Sequence, residues 1–305
     1  MTKMLFDTSA CLIQPLHSPW MDHYGVQVSV LRLDLLHPVV SGNKLFKLHY
    51  FLQEEAARSS SCLLTFGGAY SNHLVATACA AHLLNKKSTG IVRGEEPKVL
   101  SPTLQHCLAY GMQLEFVTRD EYRHLQTPGM ESLLSKRYGE GIIIPEGGYH
   151  PLGAKGAQLI CELIDPHMYS HVATATGTAT TLAGLLMGCA EQVRVHAYEV
   201  LKGMSDLPQR IHYLAGNDTL LKKMEIAGDY HFGGYARHTP ELISFMNACW
   251  EEFRLPLDFV YTAKMLYGVF EDTRQRKYPE GSHILCLHTG GLQGNRSLLQ
   301  GTLRY

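Results

Sequence analysis

The amino-acid sequence predicts an α/β protein of two lobes, built on mainly parallel sheets flanked by helices. Three observations predict it. Short apolar runs of strand length alternate with helix-period segments over most of the 305 residues. Several of the runs end in glycine-rich turns, and no stretch reads as a solenoid repeat or a long flexible linker. Strands separated by helices pair in parallel, and parallel sheets are covered on both faces. With 45% hydrophobic and 18% charged residues, the chain has globular composition and enough length for one large or two modest domains.

The elements follow in order. Residues 26–33 read as a strand, and 44–57 as a helix with Leu48, Phe51 and Leu52 on one face. Residues 62–66 form a short apolar strand, stopped by Gly67-Gly68 and followed by a helix over 71–84. Further strands are expected over 89–93, 113–117, 141–144, 171–174, 193–199 and 283–288. Helices are expected over 181–187, 240–253 and 262–277. Residues 202–237 carry little periodicity and no assignment.

Composition narrows the function. Lys plus Arg is 27 and Asp plus Glu is 28, and no basic run suggests nucleic acid or an anionic membrane. The partner is therefore expected to be a small molecule. The eight cysteines form no C-x-x-C pair and mostly lie in apolar runs, as reduced thiols of a cytoplasmic protein do. Residues 1–7 lack the apolar core of a signal peptide, and no apolar run approaches the ~20 residues that span a bilayer. The 17 histidines are scattered without H-E-x-x-H or zinc-finger spacing, so no metal site is expected.

Four segments carry candidate chemistry, and each has a plain structural explanation when taken alone. Ser41-Gly42-Asn43-Lys44-x-x-Lys47 opens a helix, with two lysines on one face near the positive end of the dipole. Burial and a neighbouring cation both lower a lysine pKa and favour the reactive neutral amine; otherwise both lysines snorkel to water. Gly67-Gly68-x-x-Ser71-Asn72-His73 is a strand-to-helix turn whose free N–H groups suit a carboxylate, although Ser at a helix start is usually just an N-cap. Thr176-Gly177-Thr178-Ala179-Thr180 sits between a strand and an apolar helix, a phosphate cradle without the lysine of a P-loop. His288-Thr289-Gly290-Gly291 places a hydroxyl at the end of the last strand; by itself it is a tight turn.

In this order and spacing, the four segments resemble the pyridoxal-phosphate (PLP) enzymes of fold type II, the tryptophan synthase β-like fold. Within them they resemble the family of 1-aminocyclopropane-1-carboxylate deaminase and D-cysteine desulfhydrase. The resemblance runs from about Pro15 to Gly291 and is anchored on the similarity of the 41–48 segment to G-G-N-K-x-R-K-L. It implies that Lys44 carries the cofactor as its Schiff-base lysine and that Lys47 helps hold the phosphate on Thr176, Gly177, Thr178, Ala179 and Thr180. It also implies that Asn72 lies beside the pyridine ring and that Ser71 meets the substrate carboxylate or moves a proton. Phe232-Gly233-Gly234-Tyr235 and Val260-Tyr261-Thr262-x-Lys264 resemble segments whose tyrosines face the substrate.

The departures bear on the reaction. Thr262 stands where the deaminases carry a glutamate aimed at the ring nitrogen, and Thr289 is at the strand end where many relatives place that nitrogen's partner. A neutral hydroxyl does not keep the ring protonated as a carboxylate does. The pair therefore leans towards D-cysteine desulfhydrase-like β-elimination, giving pyruvate, ammonia and sulfide. The alternatives are 1-aminocyclopropane-1-carboxylate deamination and a non-catalytic amino-acid sensor. The resemblance further implies a homodimer, with residues 1–43 and 151–305 as a large cofactor-binding domain and 44–150 as a smaller inserted one. A nucleotide enzyme would need a complete phosphate motif and an acidic ribose partner, and neither is present.

Overall fold

In the computed structural model, which describes residues 7–56 and 62–305, the alternation resolves into a six-stranded and a four-stranded sheet. The expectations for residues 1–6 and for a helix end at Ala57 lie outside the described residues. The first part of the chain contains β1 (Ile13–Leu16), α1 (Pro19–His23), β2 (Gln27–Leu31) and α2 (Asn43–Ala56). A run of α/β units follows: β3 (Cys62–Gly67), α3 (Asn72–Leu83), β4 (Lys87–Arg93), α4 (Pro102–Ala109), β5 (Gln113–Val117), α5 (Arg119–Leu125), α6 (Glu131–Tyr138) and β6 (Gly141–Ile144). The chain then returns through α7 (Pro151–Gln158), β7 (His171–Thr176), α8 (Thr180–Gly188), β8 (Arg194–Glu199), α9 (Leu207–Ala215), β9 (Met224–Ala227), α10 (Pro240–Phe253), α11 (Thr262–Arg274) and β10 (His283–Leu287).

The larger sheet has the order β1-β2-β10-β7-β8-β9, and only the β1–β2 pair is antiparallel. The smaller sheet, β5-β4-β3-β6, is parallel throughout. Period-two alternation explains how both faces of the larger sheet are filled. Leu31, Val172, Val195, Ala197, Leu285 and Leu287 pack towards α2, α7 and α8. Their neighbours Val28, Val30, Ala173, Ala175, Ile284 and Cys286 pack towards α10 and α11. Strands apolar on both sides are what β7 and β10 look like in the sequence, and both are buried along almost their whole length.

Residues 202–237, left unassigned from sequence, contain α9 and the edge strand β9. The latter is only four residues long and half solvated, so its alternation is too brief to stand out. The antiparallel β1 was also missed; its Pro15 is tolerated because the strand lies at the sheet edge. No helix among the described residues is long and apolar enough to cross a membrane. Nor, among those residues, do three His, Cys, Asp or Glu side chains gather where they could hold a metal ion.

Candidate active site

The parallel strands of both sheets aim their carboxyl ends at a cleft of about 760 Å³. Its wall includes Lys44, Lys47, Ser71, Asn72, Thr289, residues 176–180, Tyr235 and Tyr261. These positions, up to 245 residues apart in the chain (44 to 289), converge because most of them lie just beyond a strand or in the first turn of a helix, while Tyr235 comes from the loop between β9 and α10.

Lys44 is set by the entry into α2. Gly42 takes a left-handed backbone (φ 66°) and its N–H donates to the Leu33 carbonyl at 3.0 Å, turning the chain into the helix. Asn43 N–H then donates to the Thr289 carbonyl at 3.3 Å, so the last strand's loop and α2 are joined through backbone. The Asn43 carboxamide is buried. Its Nδ2 donates to Thr181 Oγ1 at 2.8 Å, and its Oδ1 accepts from Lys44 Nζ at 2.7 Å. Asn43 thereby aligns the amine with the threonine loop, a role the sequence reading did not give it. Burial lowers the Lys44 pKa to about 8, with the Asp258 carboxylate pulling the other way. Lys47 is buried and held well below the ordinary lysine range, by burial first and then by the Lys44 charge.

The threonine-rich segment forms the opposite wall. β7 ends at Thr176, Ala179 takes a left-handed backbone (φ 67°), and α8 begins at Thr180. The first-turn N–H groups of a helix lack intrahelical partners and carry the positive end of its dipole. Here the hydroxyls of Thr178 and Thr180, 3.0 Å apart, stand beside them. Donors of this kind, with Lys47 near, suit a phosphate dianion.

Ser71 caps α3, its Oγ accepting from Leu74 N–H at 3.3 Å. Asn72 Oδ1 and both ring nitrogens of His73 are buried without a hydrogen-bond partner. Such atoms are costly unless a ligand or water completes them, and both residues line the cleft. Burial, with the Lys47 and Lys44 charges, pushes His73 down to about 3, so its ring is neutral.

Tyr235 and Tyr261 meet edge to face, with centroids 6.1 Å apart, and Lys44 Nζ lies 5.7 Å from the Tyr261 ring. Burial raises both phenols, and Tyr261 is raised further by its neighbour, so both stay protonated. The loop carrying Tyr235 is tied to α11 by the buried Lys264, whose Nζ donates to the carbonyls of His231 (2.8 Å) and Gly234 (2.7 Å).

Thr262 is the exception among the sequence-derived candidates. It does not line the cleft. Its hydroxyl donates to Asp258 Oδ2 at 2.6 Å and accepts from Asp258 N–H at 2.9 Å. The same carboxylate accepts the backbone N–H groups of Val260, Tyr261 and Thr262. The position holds the start of α11 in place and has no hydroxyl left for a ring nitrogen. Thr289 remains the strand-end hydroxyl in the cleft. Arg93 and Arg210, not singled out from sequence, line the cleft as well, and so does Glu146, whose 144–148 segment resembles a strand-loop of the same enzymes but was given no role. The rule that ligands bind beyond strand ends points to Arg93 and Glu146, which lie at the end of one strand of the smaller sheet and just after another.

A half-buried lysine with a lowered pKa, facing a hydroxyl-rich anion cradle across a cleft between α/β sheets, defines an enzyme that works through a phosphorylated carbonyl cofactor. The chain belongs to the family described as pyridoxal-phosphate dependent enzyme, which it matches over residues 13–290. It is 29% identical over 297 residues to the mitochondrial bifunctional D-cysteine desulfhydrase/1-aminocyclopropane-1-carboxylate deaminase of Arabidopsis thaliana, covering 88% of this chain and 73% of that protein. A putative 1-aminocyclopropane-1-carboxylate deaminase of Thermotoga maritima is 30% identical over 292 residues, or 90% of this chain and 91% of that one. A D-cysteine desulfhydrase of Klebsiella pneumoniae is 27% identical over 293 residues, 88% of each. Among solved structures, an ACC deaminase homologue superposes with a TM-score of 0.79 at 26% identity, covering 93% of this chain and 90% of that one. The cofactor is pyridoxal phosphate, and the unpartnered Asn72 and the donor-rich 176–181 turn fit it.

Proposed function

We propose that the protein is a D-cysteine desulfhydrase-type lyase acting on a small D-amino acid. The observation that carries the proposal is the Lys44 amine, with its pKa lowered to about 8, in the same cleft as two protonated tyrosines. The Klebsiella and Arabidopsis relatives named for this activity support it. In this reading Thr176, Gly177, Thr178, Ala179 and Thr180 hold the cofactor phosphate with Lys47. Asn72 lies beside the ring, and Thr289 is the neutral partner of its nitrogen. When bound, the cofactor supplies an electron sink for the substrate α-carbon.

The chain's own groups do the rest. Ser71 and the free N–H groups at the start of α3 receive the substrate carboxylate. Lys44, uncharged above about pH 8, takes the α-proton, and Asn43 keeps its Nζ aligned. Tyr235 and Tyr261 each hold a phenolic proton beside the leaving sulfur. The Cβ–S bond breaks with its electron pair on sulfur. Overall, D-cysteine and one water give pyruvate, ammonia and hydrogen sulfide, with every atom accounted for.

Lys44→Ala should abolish the visible absorbance of lysine-bound cofactor and lower sulfide release by roughly 10³-fold or more. Sulfide release at the wild-type rate from this variant would reject the assignment. Turnover of 1-aminocyclopropane-1-carboxylate in place of D-cysteine would move it to the deaminase side, which the Thermotoga relative's name favours. Cofactor binding without any turnover would make the protein a sensor. The same proposal includes a cytoplasmic homodimer, which light scattering on the purified protein tests. It also includes a large domain of residues 1–43 and 151–305 around an inserted 44–150 domain; limited proteolysis near those boundaries would release the lobes.

A further inference from the structure

The elimination chemistry leaves two charged residues of the cleft unused, and both act on the phenol of Tyr235. They come from the smaller sheet, which presents the carboxyl ends of three adjacent parallel strands: the Gly67-Gly68 turn after β3, Arg93 at the end of β4, and Glu146 just after β6. β4 and β6 flank β3, so the chains bearing Arg93 and Glu146 are two strand spacings, about 10 Å, apart. The two residues have opposite charge and line one cavity, yet they form no ion pair with each other or with any other described residue. Arg210, on the far wall, is already paired with Asp206 at 2.9 Å.

Tyr122 lies against both. Its buried ring carries the Arg93 guanidinium, Cζ 5.5 Å from the centroid. Its phenol is raised by burial and then by the nearby Glu146 carboxylate. A ligand with only an anion in this region would meet Glu146, and one with only a cation would meet Arg93 and the two lysines. A group bearing both charges satisfies both residues. The cleft, about 760 Å³, also has room beyond the cofactor and a three-carbon amino acid.

We infer that the substrate's leaving group carries its own amino-acid end, the distal carboxylate held by Arg93 and the distal ammonium by Glu146. The substrate class is then a thioether between a D-alanine unit and a second amino acid. This rests on the elimination reading for the bond that breaks, but not for the binding. The balance is that of D-cysteine with a thiol replacing sulfide: the Cβ–S bond breaks, one water is consumed, and pyruvate, ammonia and the thiol-bearing amino acid are released.

Binding can be measured apart from chemistry by replacing the sulfur with methylene. Calorimetry on the cofactor-loaded protein compares meso-2,6-diaminopimelate with D-2-aminoheptanoate, which has the same carbon chain and no distal charges. The expected result is at least about tenfold tighter binding of the first. Arg93→Gln and Glu146→Gln should each bring the ratio towards one, while continued binding of D-2-aminoheptanoate reports an intact site. A wild-type ratio near one, or equal weakening of both ligands in the variants, overturns the inference. Pyruvate release from meso-lanthionine and from D-cysteine is assayed alongside. Preference in binding without pyruvate from either compound would reject the elimination reading and leave this inference standing. Pyruvate from D-cysteine without preference in binding would do the reverse.

Discussion

The reactivity proposed for Lys44 comes from the company it keeps at the start of α2. A lysine amine is nucleophilic only when neutral, and burial here moves the pKa from 10.5 to about 8. The sign follows directly: the neutral form is scarce below about pH 8 and accumulates above it. The rate at which added pyridoxal phosphate generates its lysine-bound absorbance in cofactor-free protein should therefore rise with pH through a midpoint near 8. A midpoint near 10 would mean that the amine is solvated. Asp258 opposes the shift, so Asp258→Asn should move the midpoint below 8. The same change puts amide hydrogens against the N–H groups of Val260, Tyr261 and Thr262 and should cost about 2–3 kcal/mol in denaturant unfolding. Unchanged stability would show that those bonds are readily replaced by water.

Two turns place the site, and both use left-handed backbone. Gly42 lets α2 start against the loop after β10, and a Cβ at that position would fall on the Thr289 carbonyl. Gly42→Ala therefore combines a disfavoured φ with a backbone collision and should lose about 3 kcal/mol or more, read as a lower unfolding midpoint together with slower cofactor uptake. A variant as stable as the parent would mean the two segments can part without cost. Ala179 bears the same conformation at the entry to α8 without the steric freedom of glycine, the kind of local strain that clusters at ligand clamps. On α11, Lys264 has both a lowered pKa (about 8) and two carbonyl partners. It belongs to the family-like segment around Tyr261, and its part is to keep the Tyr235 loop in place.

At the scale of the molecule, the cleft is bounded by two sheets whose strand ends face one another, so anything bound there joins elements far apart in the chain. A ligand that binds the folded state alone stabilises it by RT ln(1 + [L]/Kd), about 2.7 kcal/mol at 100 times Kd. For a chain of this size, pyridoxal phosphate at that concentration should raise the unfolding midpoint by roughly 4 °C. Lys44→Ala should lose most of that gain, and an equal shift in both proteins would show that the phosphate contacts alone hold the cofactor.

Most of the strands, the long helices α2, α10 and α11, and the four site segments were legible in the sequence. Apolar period and glycine-bounded turns are local signals, written by residues within one or two turns of each other. The family resemblance was legible for the same reason, since its motifs are short and ordered. What stayed hidden depends on contacts between distant segments. The edge strands β1 and β9 owe their existence to a neighbour that completes them rather than to their own pattern. Thr262 and Thr289 look alike as isolated hydroxyls after apolar residues, yet Asp258 takes up one and the cleft receives the other. Asn43 has a bridging role only because Thr181 arrives from 138 residues away. Arg93 ends β4 and Glu146 follows β6, and parallel pairing on either side of β3 is what puts their opposite charges on one wall. The sequence by itself determined most of the elements and the family. Tertiary structure alone decided which polar groups face the cleft, because a side chain's direction depends on partners that no local pattern encodes.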